Sequence, residues 1–529
     1  MLVTSSLLVA IVLLSIGTIA YFRRTVNGDI TGQTGNLVLI VNEANAVENE
    51  SFSVSLNRSE EEPYVMPDDK GTFDINIDST GSSTDVDVTI TISRTNLPDN
   101  LKFYLDSAYT QELTTKTYML KKSDDMTMTV PVYWFWDGSV DDENDTLFIG
   151  ETLEANITAT AMVHTPTFSE NLVANSILDT NVNFGKKSST TNGIGLMMRD
   201  GTQNDEYPIV YYRGDVSNNN VIFADLCWLI VRTTETGGIK LVFNGPVVEN
   251  ADGTESCTNY SGVGGEEANT NYTDVCAGNA GTRFTSSTNS PVYAGYMYND
   301  TNKFYSSSTL DGAGYIAHLS DNNIDSETGR HVQNLKDSTI KGVVDDWYEA
   351  NIKGKPEESL LEDTVWCNDR SVISEKYSIE NYQNGTSTYL YFAAYTRLAE
   401  NSSTTGVIPS LSCARDADKF TVESTNGNGD LEYPIGLLTA DEINLAGHPI
   451  VELATTYLSL SPKGFYWTLS PRYFSSGTLH MLFCEYGSLG YYGGLWSGNV
   501  GARPAISLNH TATISGGNGS FQSPYIINP

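Results

Sequence analysis

Along the first third of the chain, apolar and polar residues alternate with period two almost without a break. Leu37, Leu39 and Val41 open the series, Phe73, Ile75 and Ile77 follow, and Val86, Val88, Ile90 and Ile92 stand between Asp87, Thr89, Thr91 and Ser93. After an Asn96-Leu97-Pro98 turn come Leu101, Phe103 and Leu105, then Met126, Met128, Val130, Val132 and Trp134, and last Leu153, Ala155, Ile157, Ala159 and Ala161. Alternation puts every second side chain on one face of a strand. Six or more short strands joined by polar turns therefore predict an antiparallel β-sandwich over residues 30–165.

Around His164-Thr165-Pro166 the pattern changes, which predicts a linker and a short helix, Leu172 to Leu178, within 166–208. Strand patterns return at Ile209 to Gly214, Val221 to Phe223, Cys227 to Arg232 and Ile239 to Phe243, the last two joined by a Gly237-Gly238 hairpin signal. From Pro246 to Pro291 a stretch rich in Gly, Asn, Ser and Thr holds two cysteines and reads as a stapled surface loop. Ile340, Val343, Val344 and Trp347 fall at helical spacing, with Asp337 or Ser338 as cap and Gly354 as stop. Thr439 to Glu442 is a capping box ahead of Ile443 and Leu445, closed at Gly447. The fold class expected is mainly β: a sandwich followed by an α+β domain over 209–529.

Composition narrows the setting. A chain of 529 residues exceeds one core and implies two or three domains. Thirty basic against 65 acidic residues give a formal charge of -35, which argues against nucleic acid and anionic lipid as partners. Leu2 to Phe22 is apolar and precedes Arg23 and Arg24, so residues 1–22 read either as a signal peptide cleaved after Ala20 or as a membrane anchor. Both place the remainder outside the cell. None of the six cysteines has a zinc-ligand spacing, so disulfides are expected, with Cys367–Cys413 and Cys227–Cys257 favoured and Cys276 and Cys484 unassigned.

The stretch from Tyr466 to Leu508 concentrates aromatic residues between closely spaced glycines, the makeup of a recognition surface, because Tyr and Trp bring large contact area at low side-chain entropy. The candidate ligand contacts are Tyr473, Phe474, Ser475, His480, Leu482, Tyr486, Leu489, Tyr491, Tyr492, Leu495, Trp496 and Ser497. The competing reading is core packing, since half of all strand positions face inward. Tyr, Phe, Ser, Leu, His and Cys are all reachable from asparagine codons by adenine substitution, which makes hypermutation a further expectation.

No catalytic pattern emerges. The histidines His164, His318, His331, His448, His480 and His510 form no HExxH, and no GxSxG is present. Arg503 serves either as a clamp for a ligand carboxylate or as a structural brace under its turn. The acidic run Asp141 to Asp145 lacks the glycine and distal glutamate of an EF-hand loop and reads as a solvated acidic turn. No enzyme, cofactor or metal is expected, and calcium has no motif in its support.

Two resemblances sharpen these expectations. Ala20-Tyr21-Phe22, Gly35-Asn36-Leu37-Val38, Asn96-Leu97-Pro98 with Leu101-Lys102-Phe103-Tyr104, Val132-Tyr133-Trp134 with Trp136, and Asp141 to Thr146 resemble the TasA and camelysin group of exported bacterial proteins. That resemblance implies an Ig-like or jelly-roll sandwich and self-assembly by strand exchange. Tyr211 to Gly214, Cys227-Trp228, Ile230 to Gly238, Leu361 to Arg370, Leu437 to Ile443, Tyr466 to Pro471, Arg503 to Leu508 and Ser523 to Ile527 look like a family of surface proteins of Gram-positive and mollicute-like gut bacteria. The Trp-to-Arg-Pro end is similar to the C-type-lectin-like fold of the formylglycine-generating-enzyme superfamily, which includes proteins diversified by retroelements. Those enzymes hold copper on two cysteines; only Cys484 stands in the matching stretch, so that chemistry is not implied. The resemblance implies a C-type-lectin-like ligand-binding domain over 209–529, on the cell surface or outside a Gram-positive-type bacterium, with a protein or glycan ligand on another surface. The alternative is a fibre or matrix subunit.

Overall fold

A computed structural model describes residues 37–42, 44–45, 51–56, 64–139, 145–148, 151–199, 207–259, 282–289, 291–298, 324–325, 330–331, 334–371, 388–399, 407–450, 452–460, 464–485, 488–495 and 500–527. The region expected as signal peptide or anchor, 1–22, and Cys276 lie outside them. The chain is mainly β, 40% strand against 13% helix. It divides into two compact units, Met1–Thr165 and Pro166–Pro529. Among the described residues no helix is long and apolar enough to cross a membrane.

The first unit contains β1 (Ile40–Val41), β2 (Ala44–Asn45), β3 (Ser51–Leu56), β4 (Lys70–Asp78), β5 (Val86–Ser93), β6 (Leu101–Tyr104), β7 (Thr115–Leu120), β8 (Thr127–Trp136) and β9 (Leu153–Val163). They form two antiparallel sheets, ordered β2-β1-β4-β8-β6 and β3-β9-β5-β7. From β3 to β9 each successive strand belongs to the other sheet, so the chain passes back and forth over one core. That core is the inward row of each strand: Ile75 and Ile77, Val86, Val88 and Ile90, Val132, Trp134 and Trp136, Ala155 and Ile157. Gly71 lies opposite Trp134, and a Cβ there would sit 2.6 Å from the indole, so only glycine lets the ring lie across β4. Asp145, the last residue of the acidic run, is buried rather than solvated. Its carboxylate accepts from Trp136 Nε1 at 3.2 Å and Asn100 Nδ2 at 2.9 Å, a structural use of a residue expected on an acidic turn. Asp141–Asn144 lie outside the described residues.

The second unit opens with α1 (Phe168–Ala174), four residues upstream of the helix expected at Leu172. The cause is a capping box, Thr167 with Glu170, which starts the helix earlier than its apolar residues suggest. Then come β10 (Ile177–Leu178), β11 (Gly195–Arg199), β12 (Ile209–Arg213), β13 (Asn220–Phe223), β14 (Leu226–Thr233), β15 (Ile239–Glu249) and β16 (Glu255–Cys257). The segment expected as a linker and short helix also supplies two strands to this unit. After α2 (Thr339–Asn351), capped by Ser338, follow β17 (Tyr389–Tyr391), α3 (Ala393–Ala399), α4 (Ala440–Leu445), β18 (Phe465–Ser475), β19 (Thr478–Glu485), β20 (Ser488–Gly493), β21 (Val500–Gly501), β22 (Ala505–Leu508), β23 (Ile514–Gly516) and β24 (Tyr525–Ile527).

The larger sheet runs β10-β11-β12-β14-β13-β24-β23, with β15 joined to β14, β16 and β22. Its central strands are buried on both faces, as the continuous apolar runs IVYYR and LCWLIVRT require. A smaller sheet runs β17-β18-β19-β20, with β21 parallel to β18. Disulfides join Cys227 to Cys257 and Cys367 to Cys413, the two pairs favoured from the sequence. Cys484 is a buried thiol outside both.

Helix α4 is tied in by charge. Glu442 closes its capping box on Thr439, and the other carboxylate oxygen meets Arg232 Nε on β14 at 2.8 Å and Lys240 Nζ on β15 at 3.0 Å. Despite full burial, the two cations hold the Glu442 carboxyl down at about 2. Asp441 of the same turn pairs with Arg397 of α3 at 2.8 Å, and Arg397 also reaches Asp369. These links fix α3, and α3 fixes one end of the smaller sheet.

Candidate functional site

Tyr389 and Tyr391 are two apart on β17 and share a face, while Leu390 between them is buried. Tyr391 pairs across the ladder with Tyr473 of β18, and Tyr473 with His480 of β19. The rings follow the register: Tyr389–Tyr391 stack at 5.4 Å, Tyr391–Tyr473 meet at 5.3 Å and Tyr473–His480 at 4.5 Å. Tyr395, four residues beyond Tyr391 on α3, stacks on it at 4.6 Å. Tyr491 of β20 closes the cluster, 5.8 Å from Tyr473 and 6.0 Å from His480. Two of these rings stay well open, Tyr389 at 38% and Tyr491 at 45%.

A cation sits among the rings because β18 carries one residue too many. Pro471 pairs with Met481 but Tyr473 with His480, so β18 advances two residues where β19 advances one. Proline contributes no ladder donor and is tolerated at such a bulge, which also re-aims the neighbouring side chains. Arg472 and Tyr473, adjacent in sequence, consequently join one cluster. The Arg472 guanidinium lies 3.2 Å from the ring centre of Tyr491, 4.6 Å from that of Tyr395 and 5.0 Å from that of Tyr473. Its Nε and Nη1 are buried without a hydrogen-bond partner, and among the described residues no carboxylate pairs with it. His480 Nδ1 is likewise buried and unpartnered. Burial first, and then the Arg472 charge, lowers the His480 pKa, so the imidazole is neutral near pH 7.

The residues expected as ligand contacts separate into groups. Tyr473, His480 and Tyr491 belong to the cluster, and Leu495 is 37% exposed nearby in sequence. Phe474, Leu482 and Leu489 are buried core side chains, because they fall on covered positions of strands with both faces packed. Ser475 is also buried, and its hydroxyl donates to the Thr388 carbonyl at 2.8 Å. These four are corrections to the expected surface: they hold the sheet and present nothing to a ligand. Tyr486, Trp496 and Ser497 lie outside the described residues, as does the Tyr492 side chain. Tyr389, Tyr391, Tyr395 and Arg472 join the site without having been expected. Their signal was present in YLYFAAYTR, where aromatics recur at a strand spacing of two and then a helical spacing of four.

Other polar clusters are closed. Arg503, expected as clamp or brace, is a brace: its nitrogens donate to the Phe243 carbonyl at 2.8 Å, the Leu458 carbonyl at 3.1 Å and Asn244 Oδ1 at 3.0 Å, with the side chain 1% exposed. His448 shares a 2.6 Å hydrogen bond with Thr456, but both are fully buried and, among the described residues, no carboxylate orients the ring. Burial brings the His448 pKa down to about 3, so the ring is neutral. Among the described residues no three His, Cys, Asp or Glu side chains gather as metal ligands. Comparison with known protein families, curated proteins and solved structures finds no match for this chain.

Proposed function

We propose that this is an exported, surface-displayed ligand-binding protein of the adhesion type, in which an Ig-like or jelly-roll sandwich carries a C-type-lectin-like domain. The observation behind the reading is the ring cluster of Tyr389, Tyr391, Tyr473 and Tyr491 on one sheet, with Tyr395 of α3, assembled around a cation that has no carboxylate partner among the described residues. Rings held by a ladder and by stacking lose little entropy when a partner covers them. Two disulfides suit an oxidising compartment outside the cytosol. Nothing in the cluster resembles a nucleophile with its base, so the reading is of a binder and not an enzyme. If the terminal stretch is diversified, the variation falls on Tyr473, His480, Tyr491 and Leu495, since the buried positions tolerate little change.

The test is binding of the full chain to arrays of glycans and of host and bacterial surface proteins, beside Tyr389→Ala and Tyr491→Ala variants. Binding that both variants lose by tenfold or more, with unchanged melting, is the expected result. Binding that survives both substitutions overturns the placement of the surface.

A second reading, a fibre or matrix subunit, has one observation in its favour. On β4, strand β1 reaches only Ile77 and Asp78, and among the described residues Lys70–Ile75 have no partner strand on that side. This reading expects concentration-dependent self-association that vanishes on removal of residues 21–45.

A further inference from the structure

We infer that the ligand of the tyrosine face is a sugar bearing a carboxylate, with its ring against the tyrosines and its carboxylate on Arg472; this rests on the recognition reading above. Five other enclosed arginines are treated differently. Arg232, Arg370 and Arg397 each have a carboxylate within 3 Å, and Arg213 and Arg503 are saturated with backbone or amide oxygens. Among the described residues Arg472 has neither. A buried donor without an acceptor carries an uncompensated desolvation cost, so an acceptor arriving with a ligand removes a penalty that the free protein carries.

Geometry adds the acceptor's shape. A guanidinium stacked on a ring keeps its N–H groups in its own plane, where they fit the two oxygens of a carboxylate. The ring against it is Tyr491, the most exposed member of the cluster, so the nearest cover of the guanidinium is a surface side chain; a carboxylate would take the edge that Nη2 forms with Nε or with Nη1. The neutral His480 Nδ1 supplies one more unpartnered polar atom in the cluster, beside Tyr473. A sugar fits better than an acidic peptide because the face offers ring planes and hydroxyls, while its large apolar anchors, Phe474 and Leu482, are sealed in the core.

The experiment is calorimetric titration of the full chain with trigalacturonate and 3′-sialyllactose, each against its neutral counterpart, carboxyl-reduced trigalacturonate and lactose. At least one acidic sugar is expected to bind at least tenfold tighter than its counterpart. Arg472→Gln should lose that preference, a drop of roughly 10- to 100-fold for a charged hydrogen bond. Arg472→Lys should recover part of it, and Tyr491→Ser should weaken acidic and neutral sugars alike while keeping the preference. Near-ultraviolet circular dichroism matching the parent establishes that each variant is folded. Equal affinity for acidic and neutral sugars, or a preference that survives Arg472→Gln, overturns the carboxylate assignment while leaving the face a recognition surface. Hexaglutamate binding in preference to the acidic sugars overturns it in favour of an acidic peptide. Failure of both acidic sugars to bind overturns it as well, and the array experiment with Tyr491→Ala then judges the recognition reading separately.

Discussion

Leu482 and Tyr491 face each other across β19 and β20, yet one is sealed and the other is nearly half exposed. Truncating each should therefore read out differently. Leu482→Ala is expected to lower stability by about 2–5 kcal/mol through a cavity, whereas Tyr491→Ala should move the melting temperature little and reduce ligand binding. Chemical denaturation beside a binding titration checks both. His448 gives a pH prediction. Its folded pKa of about 3 lies below the ordinary 6.5, so the unfolded chain binds the extra proton between those values. Stability should fall as pH drops from about 6.5 toward 3, by up to about 1.4 kcal/mol per pH unit, and His448→Gln should flatten that slope in urea titrations at stepped pH. At this scale the sequence displayed the aromatic supply but not its sorting. Alternation alone puts Arg472 and Tyr473 on opposite faces; the bulge that brings them together depends on how Pro471 meets a strand that follows it, which no local pattern encodes.

Helix α4 carries a double duty on one side chain. Glu442 closes the capping box legible in Thr439 to Glu442, and the same carboxylate neutralises Arg232 and Lys240, roughly two hundred residues earlier. The cap is a local signal and the ion pairs are not, which is why only the first was readable. Glu442→Gln keeps cap geometry but leaves Arg232 with Glu235 alone and, among the described residues, Lys240 with no paired carboxylate, and a loss of about 3–5 kcal/mol is expected in denaturant titration. The sign with pH follows from a carboxyl held near 2 against an ordinary 4.5: its stabilisation is present above 4.5 and is lost as pH falls through 2. Strands β3 and β7 escaped the pattern reading for a different reason. SFSVSL and TKTYML carry serine and threonine on their open rows, and TKTYML puts Lys116 on its inward row opposite Ile90; their pairing with β9 and β5 supplies the order that their own apolar content does not.

At the scale of the whole molecule, the two units have separate cores, one built on Trp134 and Trp136 and the other on Trp228, Trp366 and Trp467. Separate cores predict two calorimetric transitions. Both disulfides belong to the second unit, and the Cys367–Cys413 bridge spans 46 residues, for which chain-entropy reasoning gives about 4 kcal/mol. A reductant should lower one transition and leave the other in place. The change of pattern near Pro166 was visible in the sequence. The larger sheet was visible only in pieces, because its closing strands β22 and β24 return from the end of the chain to pair with β15 and β13.

The turn from Asn250 to Thr254 links β15 to β16 inside the loop closed by Cys227 and Cys257, and Ala251 to Thr254 are all exposed. A protease that cuts this peptide bond once leaves a molecule still joined through sulfur, with the cleaved ends held on adjacent paired strands. Such a nicked form would run at full mass on a non-reducing gel and fall into two fragments once reduced. In a secretion rich in proteases, a break in the backbone there is a scar and not a severance.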